Sequence, residues 1–265
     1  MASFRTECGL KVPAVTARQM RDVDRAAVQE IGPSLQQMMQ SAGRSLALLC
    51  TTMLGEPWTT RPVVVVAGTG GNGGGGICAA RHLANHGADV TLVVSNSRRL
   101  VGVPAQQLTL YRATNARIAD PRNLSALQPG LVVDALLGYS LEGAPRGVSN
   151  DLIGWMSTVP IPVVALDVPS GVDASTGDAP GNHVRATATM TLALPNTGLH
   201  ADAVGELWVS NIGIPQTVFE RAGVARPPAT LFASGYTVRL VRPFEDSLHT
   251  RVPPERRGRP GGTAR

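Results

Sequence analysis

The chain has 265 residues, 43% hydrophobic and 16% charged, enough for one large domain with a substantial core. No apolar run approaches the ~20 residues of a helical membrane span, and the opening MASFRTECGLKVP lacks the apolar centre of a signal peptide. A cytoplasmic protein without a membrane partner is therefore expected. Most of the net charge of +5 sits at one end, where Arg251–Arg265 carries five arginines against Glu255, so the body is left with about +1 and reads as no nucleic-acid binder.

Cys8, Cys50 and Cys78 are too few and too scattered for a disulfide framework or a metal-ligand pattern. Lys11 is the only lysine. That argues against Schiff-base chemistry and a phosphate-binding lysine.

Two helices are expected first. Thr16 with Gln19 makes a capping-box pattern before a segment running to Ile31, with Met20, Val23, Ala27, Val28 and Ile31 on one face. Ser34 with Gln37 repeats the pattern before a second helix closed by Gly55. Strands then alternate with helices. Strands are expected over Val63–Gly68, Val90–Ser95, Leu131–Leu137, Val163–Asp167, Ala188–Leu194 and Glu206–Asn211, with helices over Gly76–His86, Pro104–Ala113, Val148–Thr158 and Gln216–Ala222. Apolar strands separated by helices imply an α/β fold: a Rossmann-like three-layer sandwich, mostly parallel, with helices on both faces. The last two strands lack a helix between them, which leaves room for a mixed sheet. One domain is expected over residues 1–245, followed by a basic, solvated and disordered tail over 246–265.

The segment VVVVAGTGGNGGGGICAARHL carries the strongest signal. Gly68, Gly70 and Gly73 satisfy G-x-G-x-x-G between a strand and a helix, the context in which backbone N–H groups and a helix N-terminus receive phosphate. No acid ends the second strand. Arg98 and Arg99 follow it instead, which would suit a ribose 2′-phosphate or stand only in solvent. These features alone fit an NADP-dependent oxidoreductase, but no evident hydride-transfer acid accompanies them.

Asp134 and Asp167 each close an apolar strand, and carboxyl ends of parallel strands border the ligand crevice of such sheets. Ser170 stands beside Asp167 in the turn D-V-P-S-G. Asn, Asp and Ser oxygens gathered there would suit a hard cation; either acid alone reads better as a turn cap, but two at matching strand ends beside a nucleotide loop read as a site. Asp173 reads as a turn residue, and His82 with His86 as helix-surface histidines without a third zinc ligand.

Four separated motifs now resemble the YjeF N-terminal domain family, the NAD(P)HX (NAD(P)H-hydrate) epimerases, over about residues 14–225. They are GTGGNGGGGICAARHL, Asp134–Gly138, Asp167–Asp173 and LALPNTGLHADAVGELWVSNIGIP. The resemblance implies a homodimer that interconverts the R and S hydrates of NADH and NADPH at C6, with a bound K+. It implies metal ligation by Asn72, Asp134 and Ser170, and an acid/base role for Asp167. Substrate contacts would come from Gly71, Asn72, Gly73, Gly74, Gly75, Gly138, Tyr139, Ser140, Leu141, Glu142, Gly143, Ala144 and Asp167. The sequence departs from the family pattern at Gly71, usually Asn, at Gly75, usually Asp, and at Gln40, where an acid is common. The same fold also serves some relatives as a binding module, the alternative to catalysis. The residues after 225 leave no room for a dehydratase domain of the kind fused in many bacterial relatives, so a stand-alone epimerase, or a fragment whose tail is not native sequence, is expected.

Overall fold

The four valines of Val63–Val66 alternate between two apolar layers, and that alternation organises the molecule. A computed structural model describes residues 3–241. The basic tail expected over 246–265 lies outside the described residues.

The elements are β1 (Ser3–Thr6), β2 (Lys11–Pro13), α1 (Ala17–Ala26), α2 (Leu35–Leu54), β3 (Val63–Ala67), α3 (Gly71–Asn85), β4 (Val90–Val94), α4 (Gly102–Arg112), β5 (Arg117–Ala119), β6 (Leu131–Ala135), α5 (Gly147–Thr158), β7 (Val163–Leu166), β8 (Ala188–Leu192), β9 (Glu206–Ser210), α6 (Gln216–Arg221) and β10 (Thr237–Val241). They build one ten-stranded sheet in the order β2-β1-β10-β9-β8-β7-β6-β3-β4-β5. The pairings from β5 to β9 are all parallel, and those joining β9, β10, β1 and β2 are antiparallel. From β3 the chain winds outward through β4 and β5, then returns to place β6 on the other side of β3. The β3/β6 boundary is thus the topological switch point, where ligand crevices open in such sheets.

Val63, Val65 and Ala67 pack with Leu46, Ile77, Leu83 and Leu108 of α2, α3 and α4. Val64 and Val66 pack with Leu152, Ile153 and Met156 of α5. A further apolar cluster joins α1 and α6 to the antiparallel wing through Val23, Phe219, Leu207 and Leu240. Helices therefore cover both faces, as the buried apolar strands require. Among the described residues no helix is long and apolar enough to cross a membrane.

Several expectations are corrected. The sheet is mixed, but β8 and β9 are parallel; its antiparallel part comes from β10 pairing with β1 and β2, near the start of the chain. Those two N-terminal strands and β5 are too short to show periodicity, and their partners are distant in sequence. Both capping boxes form. After Ala26, however, the first helix continues as a π-helical turn, Ala27–Ile31. The wider turn shifts the phase of the apolar face: Ala27 stays buried, whereas Val28 and Ile31 are 49% and 50% exposed. The central strands stop one or two residues early because their ends turn into loops around a cavity.

Candidate active site

The helix after the glycine loop begins at Gly71, five residues before the expected start. Glycine is a poor helix former, so packing must override propensity here. A Cβ on Gly73 would lie 2.0 Å from the Gly68 carbonyl oxygen, and one on Gly76 would lie 2.3 Å from Ala135 Cβ. These glycines let α3 press against the ends of β3 and β6. The result is a helix N-terminus aimed at the switch point, with its free N–H groups and positive dipole beside the strand ends.

A cavity of about 470 Å³ opens there, within the usual range for small-molecule sites. Of the residues singled out from the sequence, Gly71, Asn72, Gly75, Gly138, Tyr139, Ser140, Leu141, Glu142 and Asp167 line it. Gly73 and Gly74 lie behind the wall, packed on Gly68 and on Met39 with Pro104. Gly143 and Ala144 are exposed beyond the lining. Ser95 reaches the cavity, but Arg98 and Arg99 stand in solvent outside it. The structure adds an apolar flank from α1, α2 and the π turn: Met20, Val28, Leu35, Met38, Met39 and Ala42. It also adds Asp24, an acid the sequence reading passed over.

Asn72, Asp134 and Ser170 converge. In parallel register Asp134 lies opposite Val66 and Ala165, fully buried. Its carboxylate accepts from Leu136 N–H at 3.2 Å, Ser170 N–H at 2.7 Å and Ser170 Oγ at 2.6 Å. Ser170 Oγ in turn accepts from Leu137 N–H at 2.8 Å, while Asn72 Nδ2 donates to the Leu137 carbonyl at 3.0 Å. The residue Leu137 thus joins the loop asparagine to the Asp–Ser pair. Among the described residues Asn72 Oδ1 is buried without a hydrogen-bond partner. Burial pushes the Asp134 carboxyl up to about 6, against the Ser170 and Leu136 hydrogen bonds that favour its charge.

Asp167 is held differently. It follows β7 with φ 68°, the left-handed region that disfavours a Cβ-bearing residue. The next glycine, Gly171, also has positive φ, and a Cβ there would meet the Asn182 carbonyl at 2.3 Å, so this tight turn requires glycine. Asp167 is 5% exposed, and Oδ2 accepts from Tyr139 N–H at 2.9 Å. A Cβ on Gly138 would come within 2.8 Å of that oxygen and 3.3 Å of Asn72, so the absence of a side chain lets the strand-end loop pass between the two. Burial pushes the Asp167 carboxyl up to about 7, opposed by the Tyr139 N–H and reinforced by nearby Asp24. Such a group can both give and take a proton near neutrality.

The remaining polar candidates are structural. Asp173 accepts from Ser175 N–H and Thr176 N–H at 2.8 and 2.9 Å, the expected turn geometry. His82 is half-buried rather than on the helix surface: its Nε2 lies 2.7 Å from Gln40 Nε2, and burial lowers its pKa to about 4. Gln40 also accepts from Arg81 at 2.6 Å. Its departure from the family pattern therefore falls in an α2–α3 contact, outside the cavity lining. Among the described residues no cluster of three His, Cys, Asp or Glu side chains is placed to hold a metal, while the oxygen set at Asn72, Asp134 and Ser170 is of a different kind.

Comparison with known proteins supports the same grouping. Residues 35–198 match the family model described as YjeF-related protein N-terminus. A protein of Dehalogenimonas lykanthroporepellens named NAD(P)H-hydrate epimerase is 48% identical over 89% of this chain and 96% of its own length. One of the same name from Truepera radiovictrix is 36% identical over 79% and 94%. A bifunctional NAD(P)H-hydrate repair enzyme of Salinibacter ruber is 36% identical over 84% of this chain but 44% of its own length. The crystal structure of a yeast protein, ynu0, superposes with a TM-score of 0.72 at 23% identity, covering 87% of this chain and all of that one, and shares its fold. By the extent of the family match and the near full-length similarity to these relatives, this chain belongs to the YjeF N-terminal family.

Proposed function

We propose that this chain interconverts the R and S hydrates of NADH and NADPH, and so acts as an isomerase in nicotinamide-nucleotide repair. Relatives that it matches nearly end to end carry the name NAD(P)H-hydrate epimerase. The observation that carries the reading is Asp167: a buried carboxyl in a left-handed turn on the cavity wall, beside the N-terminus of α3. That helix end suits a pyrophosphate, and the cavity's apolar flank suits a nicotinamide ring.

The hydrate carries its hydroxyl on C6, next to the ring nitrogen. Breaking the C6–O bond needs a proton on the departing oxygen, while the nitrogen lone pair forms a C6=N1 cation. Water returning to the opposite face then loses a proton, and the atoms balance. Asp167 exchanges one of these protons.

Asn72, Asp134 and Ser170 would hold a potassium ion. Their donors are oxygens of the kind a hard cation takes, and the partnerless Asn72 Oδ1 supplies an open ligand. The ion would supply fixed positive charge beside the glycine loop. A rise in melting temperature with KCl over choline chloride at equal ionic strength, lost on Asn72→Ala, tests this assignment. The homodimer implied by the family resemblance belongs to the same reading and is tested by light scattering.

The decisive assay follows conversion of the R hydrate through an S-specific dehydratase. Gly71 and Gly75, where the family pattern usually has Asn and Asp, line the cavity without a side chain. If the hydrate binds without interconversion, the chain is a binding module on this fold.

A further inference from the structure

Epimerisation by departure and return of water needs proton transfer on both faces of C6. A single fixed carboxyl serves one face. Apart from Asp167, the carboxyl side chains on the cavity wall are Asp24 and Glu142. Glu142 is exposed in the loop after Tyr139, whereas Asp24 enters the lining from α1 and Asp167 from the end of β7.

Tyr139 joins buried Asp167 to half-buried Asp24. Its backbone N–H donates to Asp167 Oδ2, and its hydroxyl donates to Asp24 Oδ2. The carboxylates therefore stand at opposite ends of one tyrosine, on different elements lining one cavity. Asp24 Oδ1 accepts no hydrogen bond from the described residues. We propose that Asp24 is the second acid/base group, serving the face of C6 opposite Asp167, with Tyr139 as its positioning residue. This inference rests on the epimerase reading above.

Its chemistry follows from that placement. One carboxyl gives its proton to the leaving hydroxyl as C6–O breaks and C6=N1 forms. The other carboxylate takes a proton from water as the new C6–O bond forms on the far face. One proton has then passed from one acid to the other, and turnover in reverse, or exchange with solvent, resets the pair. The charged and titratable groups acting on this arrangement are Arg21 of α1, Tyr139 and Asp167. Burial lifts Asp24 above its ordinary range, with the Tyr139 hydrogen bond pulling the other way. Both acids are thus biased toward a form able to donate.

The test compares wild type, Asp24→Asn and Tyr139→Phe on both hydrates. The readouts are kcat, KM, the pH profile of kcat, loss of oxygen-18 from the C6 hydroxyl, and the thermal melt. Asp24→Asn should lower kcat by ~10²-fold or more in both directions, move KM by less than about threefold, and remove one limb of the pH profile. Oxygen-18 loss should slow in parallel. Tyr139→Phe should lower kcat by about tenfold while removing only a hydroxyl. Turnover of Asp24→Asn within about threefold of wild type, or a change confined to KM, overturns the inference. If Asp24→Asn folds poorly, unaltered turnover in Tyr139→Phe overturns the pairing. An inactive wild type instead overturns the epimerase reading and this inference with it. An active wild type with an active Asp24→Asn overturns this inference alone.

Discussion

β6 and β7 lie side by side and deliver an aspartate each to the same edge of the sheet, yet the two acids are held in opposite ways. Asp134 sits in regular strand, fully buried, with three hydrogen bonds to its carboxylate. Asp167 is almost as buried but lies one residue past its strand, in a left-handed conformation, with one hydrogen bond from Tyr139. Burial alone therefore does not separate the acid proposed to hold the ion from the one proposed to exchange protons. The number of bonds holding the carboxylate does: a fully engaged one is a poor proton shuttle, and an under-engaged one at a cavity wall keeps lone pairs for substrate.

This contrast can be broken by exchanging carboxylate for amide. Asp167→Asn preserves size and should lower hydrate interconversion by ~10²-fold or more with substrate affinity little changed, measured by the coupled assay. Turnover within a few-fold of wild type would reduce Asp167 to a turn cap. Asp134→Ala should act first on folding. It leaves Ser170 and Leu136 donors unpaired in the interior and should cost about 3 kcal/mol, read from urea unfolding; a loss under about 1 kcal/mol would mean that the cluster contributes little.

pH sharpens the comparison. Because the folded-state pKa of Asp167 is raised to about 7, the native state holds its proton longer than the unfolded chain. The associated stability is fully present below the ordinary carboxylate pKa and is lost as pH rises through about 7. Wild type should lose about 2 kcal/mol more than Asp167→Asn between about pH 5 and pH 7. Parallel pH curves for the two proteins would contradict the raised value. The smallest effect belongs to the third acid of this stretch. Asp173 only caps its turn, so Asp173→Ala should cost about 1 kcal/mol and leave kcat unchanged.

Much of this was legible in the chain because local physics specifies it. Capping boxes at Thr16 and Ser34, the apolar strands and the strand–glycine loop–helix unit depend on neighbours in sequence, and each forms. The glycine run misled in one respect: as propensity it argued for a loop, but as packing it starts the helix at Gly71, since close contact with Gly68 and Ala135 outweighs backbone entropy. Asn72, Asp134, Asp167 and Ser170 could be named because each follows or ends a strand, and parallel strand ends share one edge.

Asp24 was missed for the converse reason. Its sequence signal was present, an acid one turn after Met20 on the apolar face of α1, but an acid on an amphipathic helix ordinarily faces water. Only the tertiary fold sets α1 over the strand ends and brings Tyr139, 115 positions away in sequence, onto its carboxylate. Side-chain type and spacing determined which residues stand at the ends of their own elements. Which elements meet across the cavity, and therefore which acids share it, was decided by packing between segments that periodicity cannot relate.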